Sequence, residues 1–282
     1  MNNNKNWDLI VKPHSKWYDL RLLEILKYKD LLLLFVRRDF VSVYKQTILG
    51  PLWFFIQPVI TSLTFTVIFG NLAKISTDGL PPILFYMCGI TLWNYFSDTL
   101  TKTSDTFTAN ANIFGKVYFP RMIVPLSIVV SNLIKLGVQF LVFISIWVFF
   151  LIKGSAIHPN LTLLLVPFLI ILMGFLSLSF GIIISSMTTK YRDLKFLVAF
   201  GVQLLMYASP IVYPLSIVPE RYKWLVLINP VTSVIETFKY AFLGVGEFNW
   251  YYLAYSLVFT IVLFFIGLII FHRVEKSFMD TV

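Results

Sequence analysis

The chain has 282 residues, 58% hydrophobic, 17% aromatic and only 13% charged, with a mean hydropathy of +0.80. A soluble globular domain carries about 25% charged residues, so this chain cannot cover itself with polar surface in water and belongs in a bilayer. The net charge of +9 then reads as topology and headgroup charge, not as a nucleic-acid footprint.

The first 45 residues are polar and basic and lack an apolar core followed by a small-residue cleavage site, so no cleaved signal peptide is expected. Within them Leu20, Leu23, Leu26 and Leu33 or Leu34 recur near helical spacing among Arg21, Glu24, Lys27 and Lys29. That pattern predicts an amphipathic helix over 17–36 lying on the cytoplasmic membrane face. Positions 37–50 lead into the first of six long apolar stretches, at 46–73, 79–97, 122–152 (interrupted by Lys135), 154–189, 196–219 and 248–271. Each holds or approaches the roughly 20 apolar residues that span a hydrocarbon core, and none shows the alternation of a barrel strand. Pro58, in the first stretch, removes a backbone hydrogen bond and predicts a bend.

The loop at 102–121 is polar, has helix-compatible pieces and ends in Phe119-Pro120-Arg121, enough for a short helix that touches a partner. The loop at 190–195 is short. The segment 214–249 holds two apolar pieces, 222–228 and 231–243, broken at Asn229-Pro230 and each too short to span. A helix pair that dips into the outer leaflet and returns accounts for both. The predicted fold class is therefore all-α: a polytopic membrane protein with six transmembrane helices, an N-terminal cytoplasmic amphipathic helix and a periplasmic re-entrant helix pair before the last span. The expected divisions are an N-terminal region 1–48, a transmembrane domain 49–272 and a tail 273–282.

If the spans alternate, seventeen of the 23 cations gather on one side, from Lys5 to Lys45, then Lys102, Lys116 and Arg121, then Lys190, Arg192 and Lys195, then Arg273 and Lys276. The other side holds Lys74, Lys153, Arg221, Lys223 and Lys239. By the positive-inside rule both termini are cytoplasmic. Lys135 stands apart: at a helix centre it costs about 2.5 to 3.5 kcal/mol. Snorkelling, a third span that begins near Asn132, or a polar contact with Ser131, Asn132 and Gln139 would each relieve that cost.

Catalytic chemistry is not legible. The one Gly-Lys, Gly115-Lys116, is preceded by Asn110 and followed by Val117, so it is not a phosphate-cradling Gly-x-x-x-x-Gly-Lys-Ser/Thr loop. No Gly-x-Ser-x-Gly or His-Glu-x-x-His is present. Cys88 is alone and His14, His158 and His272 are far apart, so neither a disulfide nor a metal site is expected within one chain.

Arg38-Asp39-Phe40, Tyr44-Lys45-Gln46-Thr47, Leu49-Gly50-Pro51-Leu52-Trp53 and Gln57-Pro58 resemble the permease subunits of ABC-2 polysaccharide exporters. Lys116-Val117-Tyr118-Phe119-Pro120-Arg121, Tyr191-Arg192-Asp193, Ser209-Pro210-Ile211-Val212-Tyr213-Pro214 and Asn229-Pro230 extend the resemblance over nearly the whole chain. It implies a homodimer with two copies of a separate ATPase subunit that binds ATP and Mg, exporting undecaprenyl-diphosphate-linked O-antigen across the inner membrane. Teichoic-acid or capsular polymer export is the alternative within the class; an ion-coupled secondary carrier or a membrane glycosyltransferase would be a different class.

The resemblance also assigns roles. Asn110, Ile113, Phe114, Lys116, Tyr118 and Arg121 fall in the family's coupling helix, which turns ATPase closure into movement of the spans, although a plain connector would look similar. Arg37, Arg38 and Lys45 flank the first span where a lipid diphosphate would arrive, and arginine binds phosphate oxygens bidentately; a positive-inside flank is the bland alternative. Trp53, Phe54, Tyr207 and Tyr213 lie on the first and fifth spans, which pair across the family's channel, where sugar rings would pack on aromatic planes; an interface belt or lipid-facing filler is the competing reading.

Overall fold

A computed structural model describes residues 27–45, 47–191 and 193–277. Positions 17–26 of the expected amphipathic helix and 278–282 of the tail lie outside the described residues.

In chain order, α1 is Lys29–Tyr44, α2 Trp53–Phe65, α3 Pro82–Ser104, α4 Thr106–Ala109, α5 Ala111–Phe114, α6 Ile123–Ile152, α7 Val166–Thr188, α8 Leu194–Ala208, α9 Glu220–Leu227, α10 Pro230–Leu243 and α11 Trp250–Ser277. Three short 3-10 turns precede α2, α7 and α9, and α2 runs on as a π-helix over Thr66–Leu72. Helix α1 does not stop at Val36 but carries Arg37 and Arg38 on to Tyr44. Phe35 and Val36 are buried while Leu33 and Leu34 stay exposed. Lys102, expected in a loop, is in the last turn of α3.

Four helices are long and apolar enough to cross a membrane among the described residues: Gly50–Leu72, Ile123–Ile152, Leu161–Thr188 and Trp250–Glu275. The second and fifth expected spans differ for separate reasons. Helix α3 has 23 residues, but Asn94, Asp98 and Lys102 lower its hydropathy. Asp98 and Lys102 are tolerated because they have polar partners on α6, Lys135 and Asn132, and the helix is the central element, packed by α2, α6, α7 and α10. Helix α8 has 15 residues, about 22 Å at 1.5 Å per residue, less than the roughly 30 Å of a hydrocarbon core. The apolar stretch continues to position 219, but Ser209 turns extended, at φ −104 and ψ 150, and Pro210 and Pro214 prevent helix beyond it.

Helices α3 and α7 meet closely through small residues. A Cβ at Gly181 would lie 2.5 Å from the Cβ of Thr103, so only glycine permits this approach, the usual device of membrane helix packing. The segment 214–249 forms the two short helices α9 and α10, separated at Asn229-Pro230. The Asn229 side chain accepts from the Val231 N–H at 3.1 Å, with Pro230 at the first helical position. At the other end Gly244 adopts φ +74, the left-handed stop that favours glycine.

Candidate functional site

The ends of α3, α7 and α11 and the starts of α6 and α8 meet at one end of the bundle. The α3–α6 connection folds there as α4 and α5, divided by Asn110, whose Nδ2 donates to the Thr106 carbonyl at 3.0 Å. Its apolar side enters an aromatic cluster. Phe107 stacks on Phe271 of α11 at 4.6 Å, and Phe114 touches both Phe107 and Phe119 at 6.0 and 5.8 Å. Phe119 in turn meets Phe35 of α1 at 5.6 Å.

Arg121 closes the loop onto α11. Its backbone N–H donates to Glu275 Oε1 at 3.1 Å and its Nη1 to the Glu275 carbonyl at 2.7 Å. The guanidinium carbon lies 5.4 Å from the Phe114 ring centroid, while Glu275 also pairs with His272 Nδ1 at 2.9 Å. Burial pushes the guanidinium below its ordinary pKa and the Glu275 carboxylate opposes that shift; an arginine stays charged throughout. The six expected coupling residues thus divide. Asn110, Phe114 and Arg121 are buried and hold the loop, and Ile113 packs partly against the same cluster. Lys116, Val117 and Tyr118 are exposed, Tyr118 at 77%.

Arg37 and Lys45 are exposed and Arg38 is half-buried. Arg38 lies on α1 and Lys45 just past its last residue, where the backbone turns extended, with Arg37 about a quarter turn from Arg38 round the helix. Arg38 already has a carboxylate partner: Nε and Nη2 both donate to Asp39 Oδ1, at 2.9 and 2.8 Å. Its guanidinium lies 4.7 Å from the Phe35 centroid.

Lys135 sits inside the 30-residue helix α6 and pairs with Asp98 of α3, Nζ to Oδ2 at 2.5 Å. Beside it Lys102 Nζ donates to Asn132 Oδ1 at 3.2 Å and Asn132 Nδ2 to Thr99 Oγ1 at 3.1 Å. The lysine is therefore a helix-to-helix contact between α3 and α6, with Phe54 of α2 5.4 Å from its ammonium. Partnering lowers the cost of an isolated charge in hydrocarbon.

Trp53 and Tyr207 are exposed, on α2 and α8 respectively, while Phe54 and Tyr213 are partly buried. Helix α8 has no buried residue. Val198, Val202, Leu205 and Met206 lean on the core and the other face shows Phe196, Phe200, Leu204 and Tyr207. Helix α2 buries only Pro58 and Ser62. Two apolar, aromatic-rich helices thus present open faces.

A buried charge pair went unanticipated. Glu236 and Lys239, both 1% exposed, lie one turn apart on α10 with Nζ to Oε1 at 3.8 Å. Lys239 Nζ donates to the Pro210 carbonyl and lies 3.8 Å from the Phe85 centroid. The signal was available as Glu-x-x-Lys at i, i+3 in an apolar helix, but Lys239 reads as an ordinary outer-side cation when only charge asymmetry is counted.

A central polar-bearing helix, two open apolar helices and a polar loop pinned by an aromatic cluster define a multi-helix membrane protein. The chain matches the ABC-2 type transporter family over residues 30–243 and belongs to that family. It is 30% identical over 254 residues to the O-antigen export system permease protein RfbA of Klebsiella pneumoniae, covering 89% of this chain and 94% of that relative. RfbA of Myxococcus xanthus is 25% identical over 223 residues, covering 78% and 82%. The polysialic acid transport protein KpsM of Escherichia coli is 24% identical over 240 residues, covering 83% and 89%.

Proposed function

We propose that this chain is the permease subunit of an ATP-driven exporter that moves an undecaprenyl-diphosphate-linked polysaccharide, of O-antigen type, from the cytoplasmic to the periplasmic side of the inner membrane. The observation that carries the reading is the loop at 110–121, whose buried residues fix it to α1 and α11 while Lys116, Val117 and Tyr118 face outward. A permease without a phosphate-cradling loop of its own must receive its drive through such a surface, so ATP and Mg belong to a separate nucleotide-binding subunit. In this reading two copies meet through the open faces of α2 and α8, and Trp53, Phe54, Tyr207 and Tyr213 line the path between them. Arg37, Arg38 and Lys45 receive the lipid diphosphate. Helix α3, and α8 together with the buried extended segment that follows it, complete six spans, and α9 with α10 forms the re-entrant pair. Capsular polymer is the second reading, favoured by the similarity to KpsM.

Deleting the chromosomal copy is expected to remove surface glycan, and the tagged permease is expected to copurify with an ATPase whose hydrolysis is required for export. Surface glycan that survives loss of the permease would sink the proposal. The topology has its own check. Thr77 is buried, its Oγ1 donating to the Leu80 carbonyl at 2.7 Å, whereas Ser76 is exposed. Cysteines at Ser76 and Lys153 are expected to label from the periplasm, and one at Lys116 only after the membrane is permeabilised. Periplasmic labelling at Lys116 would invert the orientation.

A further inference from the structure

Helix α8 is held at its two ends by different physics. At the end next to α10, the Ser209-Pro210 dipeptide is gripped from both sides. Asn229 Nδ2, at the α10 N-cap, donates to Ser209 Oγ at 2.9 Å. Lys239, more than two turns further along α10, donates to the Pro210 carbonyl. Both donors are buried or partly buried, and Lys239 is kept in place by Glu236 and by the Phe85 ring. The next residue, Ile211, is wholly buried against α3, where a Cβ at Gly89 would lie 3.2 Å from Ile211 Cγ2. A polar grip without water to compete for it is costly to open.

Among the described residues the other end of α8 has no such grip. There Lys195 pairs with Asp105, and the two side chains are 38% and 37% exposed; exposed pairs are worth about 0 to 1 kcal/mol. Asp105 is the residue on which the loop begins, and it also accepts from the Thr108 hydroxyl. Between these ends α8 buries no residue. One tight joint, one weak tie to the docking loop and a lightly packed shaft form the geometry of a hinge with a lever.

Resting on the export reading above, we propose that α8 is a lever pivoted at Ser209-Pro210, with Lys239 and Asn229 as positioning residues of the pivot, and that the Asp105–Lys195 tie latches its far end to the loop until the loop moves. Export then proceeds with the pivot closed and requires the tie to part.

The test uses the full permease with its ATPase in membranes, in a Cys88→Ala background. Ser209→Cys with Asn229→Cys, joined by a short thiol crosslinker, is expected to leave export at the level of the reduced protein. Asp105→Cys with Lys195→Cys, joined in the same way, is expected to lose export and regain it on reduction, with the ATPase still bound. Loss of export on locking the pivot, or undiminished export on locking the tie, would overturn the lever. A second arm needs no glycan. Ser209→Cys alone is expected to resist a thiol reagent, and to become reactive when Glu236→Gln and Lys239→Met are added, since that pair of changes removes both charges and keeps the side-chain bulk. A thiol at position 209 that stays protected in the triple variant would remove Lys239 from the pivot. Absence of glycan export in the unaltered protein would instead strike the export reading and leave this arm standing.

Discussion

Arg121→Glu is expected to abolish export although the protein still inserts, and to release the docking loop from the bundle. The residue is 9% exposed, its guanidinium bonded to the Glu275 carbonyl and stacked over Phe114. Its replacement by a carboxylate removes those contacts and sets a second negative charge against Glu275. Breaking a buried charged contact from one side costs about 3 to 5 kcal/mol, a large share of the roughly 5 to 15 kcal/mol that holds a whole domain folded and so enough to favour detachment of a single loop. Arg121→Lys keeps the charge and loses the planar fork, so partial export is expected. Lys116→Glu is the control: its side chain is exposed, so the loop stays seated while copurification of the ATPase falls. Limited proteolysis at 110–121 separates the two mechanisms, since Arg121→Glu is expected to expose the loop and Lys116→Glu is not. Wild-type export and an unchanged digestion pattern for Arg121→Glu would remove Arg121 from the anchor.

What could be read from the sequence followed the strength of each local signal. The helical class, the break at Asn229-Pro230 and the capping of α10 are written in composition, a proline at the first helical position and a glycine after the last. The extents of α3 and α8 were not, because hydropathy measures transfer to lipid, whereas α3 is solvated by its neighbours. Its Asp98 and Lys102 count as loop or boundary residues in one dimension and become partners of Lys135 and Asn132 in three. In α8 the opposite occurred: apolar residues beyond Ala208 extended the apparent span, although Ile211 is buried by α3 and not by lipid.

The candidate site shows the same division. A motif marks positions without saying which way they face. Asn110, Phe114, Lys116, Tyr118 and Arg121 form one sequence block, yet the backbone turns at Asn110 and Gly115 put Phe114 and Arg121 inward and Lys116 and Tyr118 outward. The receiving partners, Phe271 and Glu275, stand about 150 residues further on in the chain, with only helical spacing to mark them. Lys239 was hidden for a related reason. Its partners are Glu236, one turn away, and a proline carbonyl 29 residues earlier.

The remaining large effect is expected at α1. Under the proposed function a lipid diphosphate leaving the headgroup layer must keep its charges paired, and charge-assisted hydrogen bonds from Arg37, Arg38 and Lys45 would supply that pairing, each worth roughly 1.5 to 3 kcal/mol. Arg38 is not idle while it waits, since Asp39 Oδ1 takes two of its N–H groups at 2.9 and 2.8 Å. A phosphate must outcompete that carboxylate, and a pair whose side chains are 38% and 24% exposed is weak enough to exchange. Arg38→Gln is therefore expected to lower export and substrate-stimulated ATP hydrolysis with the complex intact, and changing Arg37, Arg38 and Lys45 together to glutamine is expected to abolish both. Arg38→Lys should retain part of the activity, because a point charge survives without bidentate geometry. Asp39→Asn moves the other way: it frees the fork and adds one unit of local positive charge, so substrate stimulates hydrolysis at lower concentration than in the wild type. A topology flank would be indifferent to all four changes, since the other cations on that side still fix orientation. Unaltered surface glycan in the triple glutamine variant, with Asp39→Asn indistinguishable from wild type, would show that the headgroup binds elsewhere.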